Sequence, residues 1–225
     1  MNRRLDVRRL GRVHYGEALA IQRRLADERI AGAIPDTLLL LEHPPVVTLG
    51  RGTKESSLPL QPDALRRQGV DVFEIERGGD VTYHGPGQLV GYPILDLQGL
   101  RPDLHWYLRQ LEEALIQAVA GFGITAERNP GYTGVWTQGR KIASIGIHVR
   151  QWVTWHGFAL NVTTDLSAFD LIVPCGIKDV VMTSVVRESP AAAGMAKDTL
   201  DAAVASSVIA SMRSVFGYSE TEPVG

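Results

Sequence analysis

The stretch Arg77-Gly-Gly-Asp-Val-Thr-Tyr-His-Gly-Pro-Gly-Gln-Leu-Val-Gly-Tyr-Pro93 sets five glycines and two prolines among Arg, Asp, Tyr, His and Gln side chains. Glycine reaches positive φ and lets a backbone approach a bound group closely. Two tight turns between strands would account for the glycines, but a connection has no use for so many ionisable and aromatic side chains. The run reads as the wall of a binding cleft. Outward from it, Val70 to Ile75 reads as a strand leading in, and Gln88 to Leu97 as its antiparallel return.

The flanking chain supplies the layers. Residues 15–31 are rich in Ala, Leu, Arg and Glu and read as a helix ending near Gly32. Leu38–Leu41 and Val46–Leu49 read as two strands joined by a tight turn at His43-Pro44-Pro45. Pro62 to Gln68 is a short helix with proline in its first turn. Leu104, Leu108, Leu111, Leu115, Val119 and Phe122 recur every three or four residues, which predicts a helix over 102–122 stopped by Gly123. Val135-Trp136, Lys141–Val149 and Trp152–Val162 are strands, and 198–216 is an amphipathic helix before a polar, frayed tail from Gly217. Strands in the middle with helices outside predict one α+β domain over 1–225 around a mainly antiparallel sheet.

Composition bounds the partners. The 225 residues carry 44% hydrophobic and 21% charged side chains with a formal net charge of -2, which makes no electrostatic case for nucleic acid. Arg3, Arg4, Arg8, Arg9 and Arg12 read as a solvated terminal segment. Nothing approaches the roughly 18 apolar residues that a membrane span needs. The single cysteine, Cys175, admits no internal disulfide and points to the cytoplasm. Six histidines show no ligand-like spacing, so no metal is expected. No phosphate-binding glycine loop opens a helix, and no nucleotide cofactor is expected.

Two side chains could do chemistry. Cys175 stands between Pro174 and Gly176, which favour a bent backbone that presents the sulfur; a small buried hydrophobe is the other reading. Lys141 is one of four lysines against nineteen arginines and heads an apolar strand, where it either snorkels to the surface or meets a partner. If the two meet, the ammonium stabilises the thiolate. Moving a thiol from about 8.5 to about 6.5 takes roughly 2.7 kcal/mol, which one ammonium at contact can supply. Along that strand Ile142, Ser144, Gly146 and His148 share a face that is small and polar at its centre, as beside a ligand.

Four blocks in order, Arg77–Pro93, Lys141-Ile-Ala-Ser-Ile-Gly146, His156-Gly-Phe-Ala-Leu-Asn-Val162 and Pro174-Cys-Gly176, resemble the octanoyltransferases, also called lipoyl(octanoyl) transferases. The resemblance covers a core of about 10–215 and implies the fold of the biotin and lipoate protein ligase catalytic domains, a mixed, mainly antiparallel sheet flanked by helices. It implies transfer of an octanoyl group from octanoyl-acyl carrier protein to a lysine of a lipoyl domain, in 2-oxoacid dehydrogenase complexes or the glycine cleavage H protein. Cys175 then corresponds to the acyl-thioester nucleophile and Lys141 to the lysine that activates it. Arg77, Gly78, Gly79, Asp80, Val81, Thr82, Tyr83 and His84, with Ser144, Ile145 and Gly146 and with Gly157, Phe158 and Ala159, correspond to substrate-binding segments. Burying six or seven methylenes of the acyl chain at about 0.8 kcal/mol each would give roughly 5 kcal/mol. Two further functions fit parts of the pattern: an ATP-dependent lipoate or octanoate ligase on the same fold, and a non-catalytic binding module for carrier or lipoyl domains.

Overall fold

Leu38–Leu41 run four in a row because the strand they occupy is covered on both faces. Leu38 and Leu40 pack into one apolar cluster, while Leu39 and Leu41 pack into another. The computed structural model describes residues 3–173 and 180–219. In chain order the strands are β1 (Leu5–Arg12), β2 (Asp36–Glu42), β3 (Val46–Leu49), β4 (Asp71–Glu74), β5 (Val81–His84), β6 (Gln88–Ile94), β7 (Glu127–Asn129), β8 (Tyr132–Thr137), β9 (Arg140–Arg150) and β10 (Val153–Asn161). The helices are α1 (Tyr15–Ile30), α2 (Pro62–Arg67), α3 (Leu97–Leu100), α4 (Leu104–Ala120), α5 (Val185–Glu188), α6 (Pro190–Ala193) and α7 (Lys197–Phe216).

Seven strands form one sheet in the order β1-β2-β6-β10-β9-β8-β7. Only β1 and β2 pair in parallel; the other neighbours are antiparallel. A second sheet, β4-β3-β5, holds one parallel and one antiparallel pair. The mixed, mainly antiparallel sheet flanked by helices is the architecture expected. Helices α4 and α7 cover one face of the large sheet through Leu111, Leu115, Val204, Val208 and Met212. Helix α1 covers the other through Ala18, Leu25 and Ala26.

Several local expectations change. The arginine-rich start is an edge strand, β1, with Leu5 buried beneath it, Arg8 bonded to Asp6 and Arg12 bonded to Glu42. An edge strand shows solvent on one side, so its charged residues hide its alternation. The strands on either side of His43-Pro44-Pro45 enter different sheets rather than forming a hairpin. β6 is not the return of β4 either: β4 pairs with β3, β6 pairs with β2 and β10, and the glycine-rich stretch itself contributes β5. Helix α4 begins later than 102 because the Asp103 carboxylate caps it, accepting from the Trp106 N–H at 3.0 Å. Leu104 is left exposed, and Tyr107 takes its place against the sheet.

The start of the tail is docked, not frayed. Tyr218 is buried and its hydroxyl donates to Asp36 Oδ2 at 2.8 Å, while Ser219 N–H donates to the Arg3 carbonyl at 3.0 Å. Asp36 also accepts from Arg29 at 2.8 Å and from the Asp96 N–H at 2.9 Å, so one carboxylate joins β2, α1, the β6–α3 corner and the tail. Hydrogen bonds to a charged acceptor contribute about 1.5–3 kcal/mol. Tyr218→Phe should therefore lower the unfolding free energy in urea by about 2 kcal/mol; an unchanged midpoint would show that the tail does not hold the fold.

Candidate active site

The glycine-rich loop lies where the two sheets meet. Gly78 N–H donates to the Ile147 carbonyl on β9 at 2.8 Å, and Arg51 and Gly52 N–H groups donate to the Arg77 and Gly79 carbonyls at 3.0 and 2.9 Å. A Cβ on Gly50 would fall 2.4 Å from the Gly79 carbonyl oxygen, so the two loops need that glycine to touch. Arg77 is buried, and its guanidinium donates to the Thr48 carbonyl at 2.8 Å and Thr48 Oγ1 at 3.0 Å. It clamps the loop to β3 and at the same time forms part of the cavity wall.

That cavity is narrow, with a volume of about 60 Å³. Arg77, Gly79, Asp80, Val81, Thr82 and His84 line one side, and Ser144, Ile145, Gly146, Gly157, Phe158 and Ala159 the other. Three of the four quoted blocks thus converge on it. Gly146 leaves the room: a Cβ there would sit 2.9 Å from Arg77 Cδ. Gly91 does the same for Phe158, whose ring lies 2.1 Å from where a Cβ would be. Gly78 is not among the lining residues. Tyr83 turns to the opposite face of β5 and packs on Phe169. Strand alternation explains this: Tyr83, like Val81, packs into the apolar cluster on the other face of β5, although Val81 at the start of the strand also borders the cavity. Tyr15, Tyr92 and His156 also line the space. Tyr92 and His156 stood inside the quoted blocks; Tyr15, at the start of α1, carried no signal in the sequence.

Lys141 is 2% exposed. It therefore does not snorkel. Its ammonium lies over the Trp136 ring, 5.5 Å from the centroid. It precedes Ser144 by three residues, about 10 Å along the strand. Both its backbone groups are held by one segment, in a parallel bridge to Met182: Lys141 N–H donates to the Val181 carbonyl at 2.8 Å, and Thr183 N–H donates to the Lys141 carbonyl at 2.9 Å. Cys175 lies outside the described residues. The chain before it is tied at Val173, whose N–H donates to the Ser57 carbonyl at 2.9 Å. Ser57 Oγ in turn donates to Asp80 Oδ2, in the cavity wall, at 2.7 Å. At the two ends of β9, Arg140 is bound to Glu188 at 2.8 Å and Arg150 to Asp27.

A polar chain links the cavity to Lys141. His84 Nδ1 meets Gln88 Oε1 at 2.8 Å, and Gln88 Nε2 donates to Asn161 Oδ1 at 2.9 Å. Asn161 Nδ2 then donates to the Thr183 carbonyl at 3.0 Å. These partners orient the amides, so Nδ1 of His84 carries the proton. His43 is fixed likewise: Nδ1 donates to the Val13 carbonyl at 2.7 Å, and Nε2 accepts from the Tyr92 hydroxyl at 2.7 Å. Burial lowers His84 from its ordinary 6.5 to about 3, with His43 nearby adding to it. Burial lowers His43 to about 4 and His156 to about 3. Burial raises the Glu76 carboxyl, but hydrogen bonds from Arg23 and Trp155 outweigh it and hold the group at about 2. His156 lies 3.8 Å from Glu76, yet it is neutral at neutral pH, so this contact is not an ion pair.

The three histidines stay neutral in the fold, whereas the unfolded chain protonates them near 6.5. The unfolded state therefore binds more protons as pH drops below about 6.5. Stability is fully present above that pH and falls towards pH 4, by up to about 1.4 kcal/mol per pH unit for each histidine. Thermal unfolding should show a steady fall in Tm from about pH 7 to about pH 4.5; a flat profile would contradict the neutral, buried assignment.

Residues 14–206 match the lipoyl protein ligase A/B catalytic domain family. An octanoyltransferase of Rubrobacter xylanophilus is 56% identical over 187 residues, 82% of this chain and 84% of that one. An octanoyltransferase of a Synechococcus species is 50% identical over 95% of this chain and 83% of its own. Among solved structures, a lipoate-protein ligase A bound with ATP superposes with a TM-score of 0.73 at 16% identity, over 99% of this chain and 88% of that one. That likeness bears on the fold, which is the ligase-type catalytic fold expected. With half or more of its residues identical to such enzymes over most of its length, the chain is an acyltransferase and belongs to the octanoyltransferases of the lipoyl protein ligase A/B family.

Proposed function

We propose that this octanoyltransferase works through a cysteine thioester, with Cys175 as nucleophile and Lys141 as the group that activates it. The donor is octanoyl-acyl carrier protein and the acceptor a lysine of a lipoyl domain, with 1–225 acting as one catalytic domain in the cytoplasm. The observation that carries the reading is the backbone pairing at Lys141. Val181 and Thr183 hold the buried amine beside the chain that returns from Cys175, and Val173 anchors the outgoing end to the cavity wall through Ser57 and Asp80. Cys175 is two residues beyond Val173, within about 7 Å of chain. Among the described residues no helix is long and apolar enough to cross a membrane.

The chemistry follows from these groups. The Cys175 thiolate attacks the thioester carbonyl, the tetrahedral oxyanion is held by backbone N–H groups near Cys175 and Gly176, and the carrier leaves as its thiol, taking a proton from the Lys141 ammonium. The octanoyl chain occupies the slot between the glycine-rich loop and β9. The acceptor amine then attacks the acyl-Cys175 carbonyl and must lose a proton. Lys141, left as the neutral amine once its proton has gone to the carrier and no anion faces it, accepts that proton as the Cys175 thiolate is expelled, which restores the ammonium–thiolate pair. A thioester is consumed and an amide formed, so no nucleotide is needed. The relatives at 50% identity and above bear the octanoyltransferase name, which favours this route over ATP-dependent ligation.

Incubating the protein with octanoyl-carrier protein, without ATP, should give an octanoyl adduct on Cys175 in the intact-mass spectrum, and Cys175→Ser should abolish both adduct and transfer. Transfer that proceeds with no adduct, or only with ATP, would overturn the reading. Lys141→Ala should raise the titration midpoint of the Cys175 thiol by about two units; an unshifted midpoint would remove Lys141 from the activation step.

A further inference from the structure

Glu112 is 0% exposed, in the middle of helix α4. A buried carboxylate is costly unless its charge and lone pairs are met. Here Oε2 accepts from Arg109 Nη1 at 2.6 Å and lies 3.3 Å from Arg128 Nε. Both arginines are also partly in water, and Arg128 is shared with Glu113. The other oxygen, Oε1, is aimed into the sheet and accepts the Gly134 N–H of β8 at 3.1 Å.

Gly134 is the wall of the space in which Lys141 lies. A Cβ on it would fall 2.7 Å from Lys141 Cε, 3.4 Å from Nζ and 2.7 Å from the Ala143 carbonyl. Its φ of +136° is one that side-chain-bearing residues rarely adopt. The pairing register also shifts here, with Val135 opposite Ala143 but Trp136 opposite Lys141. The strand thus makes a notch at Gly134: its missing side chain admits the lysine stem, and Trp136, two residues on, places a ring beneath the ammonium. A notch made by an irregular strand needs something to hold its backbone in place. The Gly134 N–H bond to Glu112 does this from the helix layer behind the sheet.

We propose that Glu112 is a positioning residue for Lys141: through the Gly134 amide it fixes the notch that aims the amine. Glu112 touches neither substrate nor the reacting atoms. The inference rests on the Cys175–Lys141 reading and deepens it. Arg109, Arg128 and Glu113 surround Glu112, while Trp136, Gly134 and Ala143 face Lys141. A charge change at Glu112 and a loss of the Gly134 bond are therefore separable. Glu112→Gln keeps an acceptor for Gly134 N–H, whereas Glu112→Ala removes it.

The test is the pH dependence of Cys175 alkylation by iodoacetamide on folded full-length protein, alongside single-turnover octanoyl transfer. Glu112→Ala should raise the thiol midpoint by about one unit and slow transfer by about tenfold to a hundredfold, as misplacement of a reacting group does. Glu112→Gln should restore most of both, although its Tm falls. Gly134→Ala, which fills the notch without touching Glu112, should raise the midpoint as well, and it carries the test if Glu112→Ala does not fold. A wild-type midpoint well below that of a free thiol, unmoved in Glu112→Ala or, failing that, in Gly134→Ala, would overturn the inference and leave the dyad standing. A wild-type midpoint at the ordinary thiol value would overturn both.

Discussion

Two backbone hydrogen bonds at Lys141 organise this molecule. The Val181 carbonyl and the Thr183 N–H close on a residue at the very start of β9, so the chain returning from Pro174–Asp179 adds itself to the sheet at that point. Glu188 secures the join by accepting from Arg140 at 2.8 Å and from Thr183 Oγ1 at 2.5 Å. Asn161 secures it from the β10 side through the Thr183 carbonyl. An amine buried this deeply is tolerable only where the fold supplies partners for its charge. A ring under the ammonium and a notch shaped for its stem are part of that supply.

The slot beside it solves a different problem. The acyl chain proposed for it would bind best in a dry channel, yet the walls carry His84, His156, Tyr15 and Tyr92. Burial keeps these histidines neutral, and both tyrosines are pushed up by burial and remain protonated. These four polar groups of the wall thus carry no charge, and Arg77 and Asp80 beside them are held by Thr48 and Ser57. Glycines do the rest: Gly146 and Gly50 allow the loop of Arg77 to lie against β9 and the 50–52 turn.

Much of this was legible beforehand, for identifiable reasons. Helices α4 and α7 announce themselves by periodicity, α1 by its content of helix-forming residues, and the loop of Arg77 by a density of glycine that no ordinary turn needs. Helix α4 shows the limit, because Asp103 as a cap shifts its start and puts Leu104 outside while Tyr107 goes in. Strand β1 was hidden because an edge strand with two arginines before it and three within it lacks the alternation of a covered one. The partners of β3 and β6 could not be read, since pairing across the two sheets depends on contacts distant in sequence. At the site, spacing along β9 already placed Ser144 and Gly146 on one face. Tyr83 and Thr82 were indistinguishable until the alternation of β5 was known. Glu112 was unreadable: an acidic residue on a helix is ordinarily solvated, and only the fold shows its carboxylate aimed at Gly134.

The account depends on a buried amine lying close enough to the molecule's one thiol to hold it ionised. The most direct measurement is a crystal structure of the protein covering the segment of Cys175. It should show Lys141 Nζ within about 4–6 Å of Cys175 Sγ, the range over which an opposite charge favours the thiolate, at the end of the slot between Gly79 and Gly146. A separation beyond about 10 Å, where bulk ions screen the interaction, or protein filling the space between them, would contradict it.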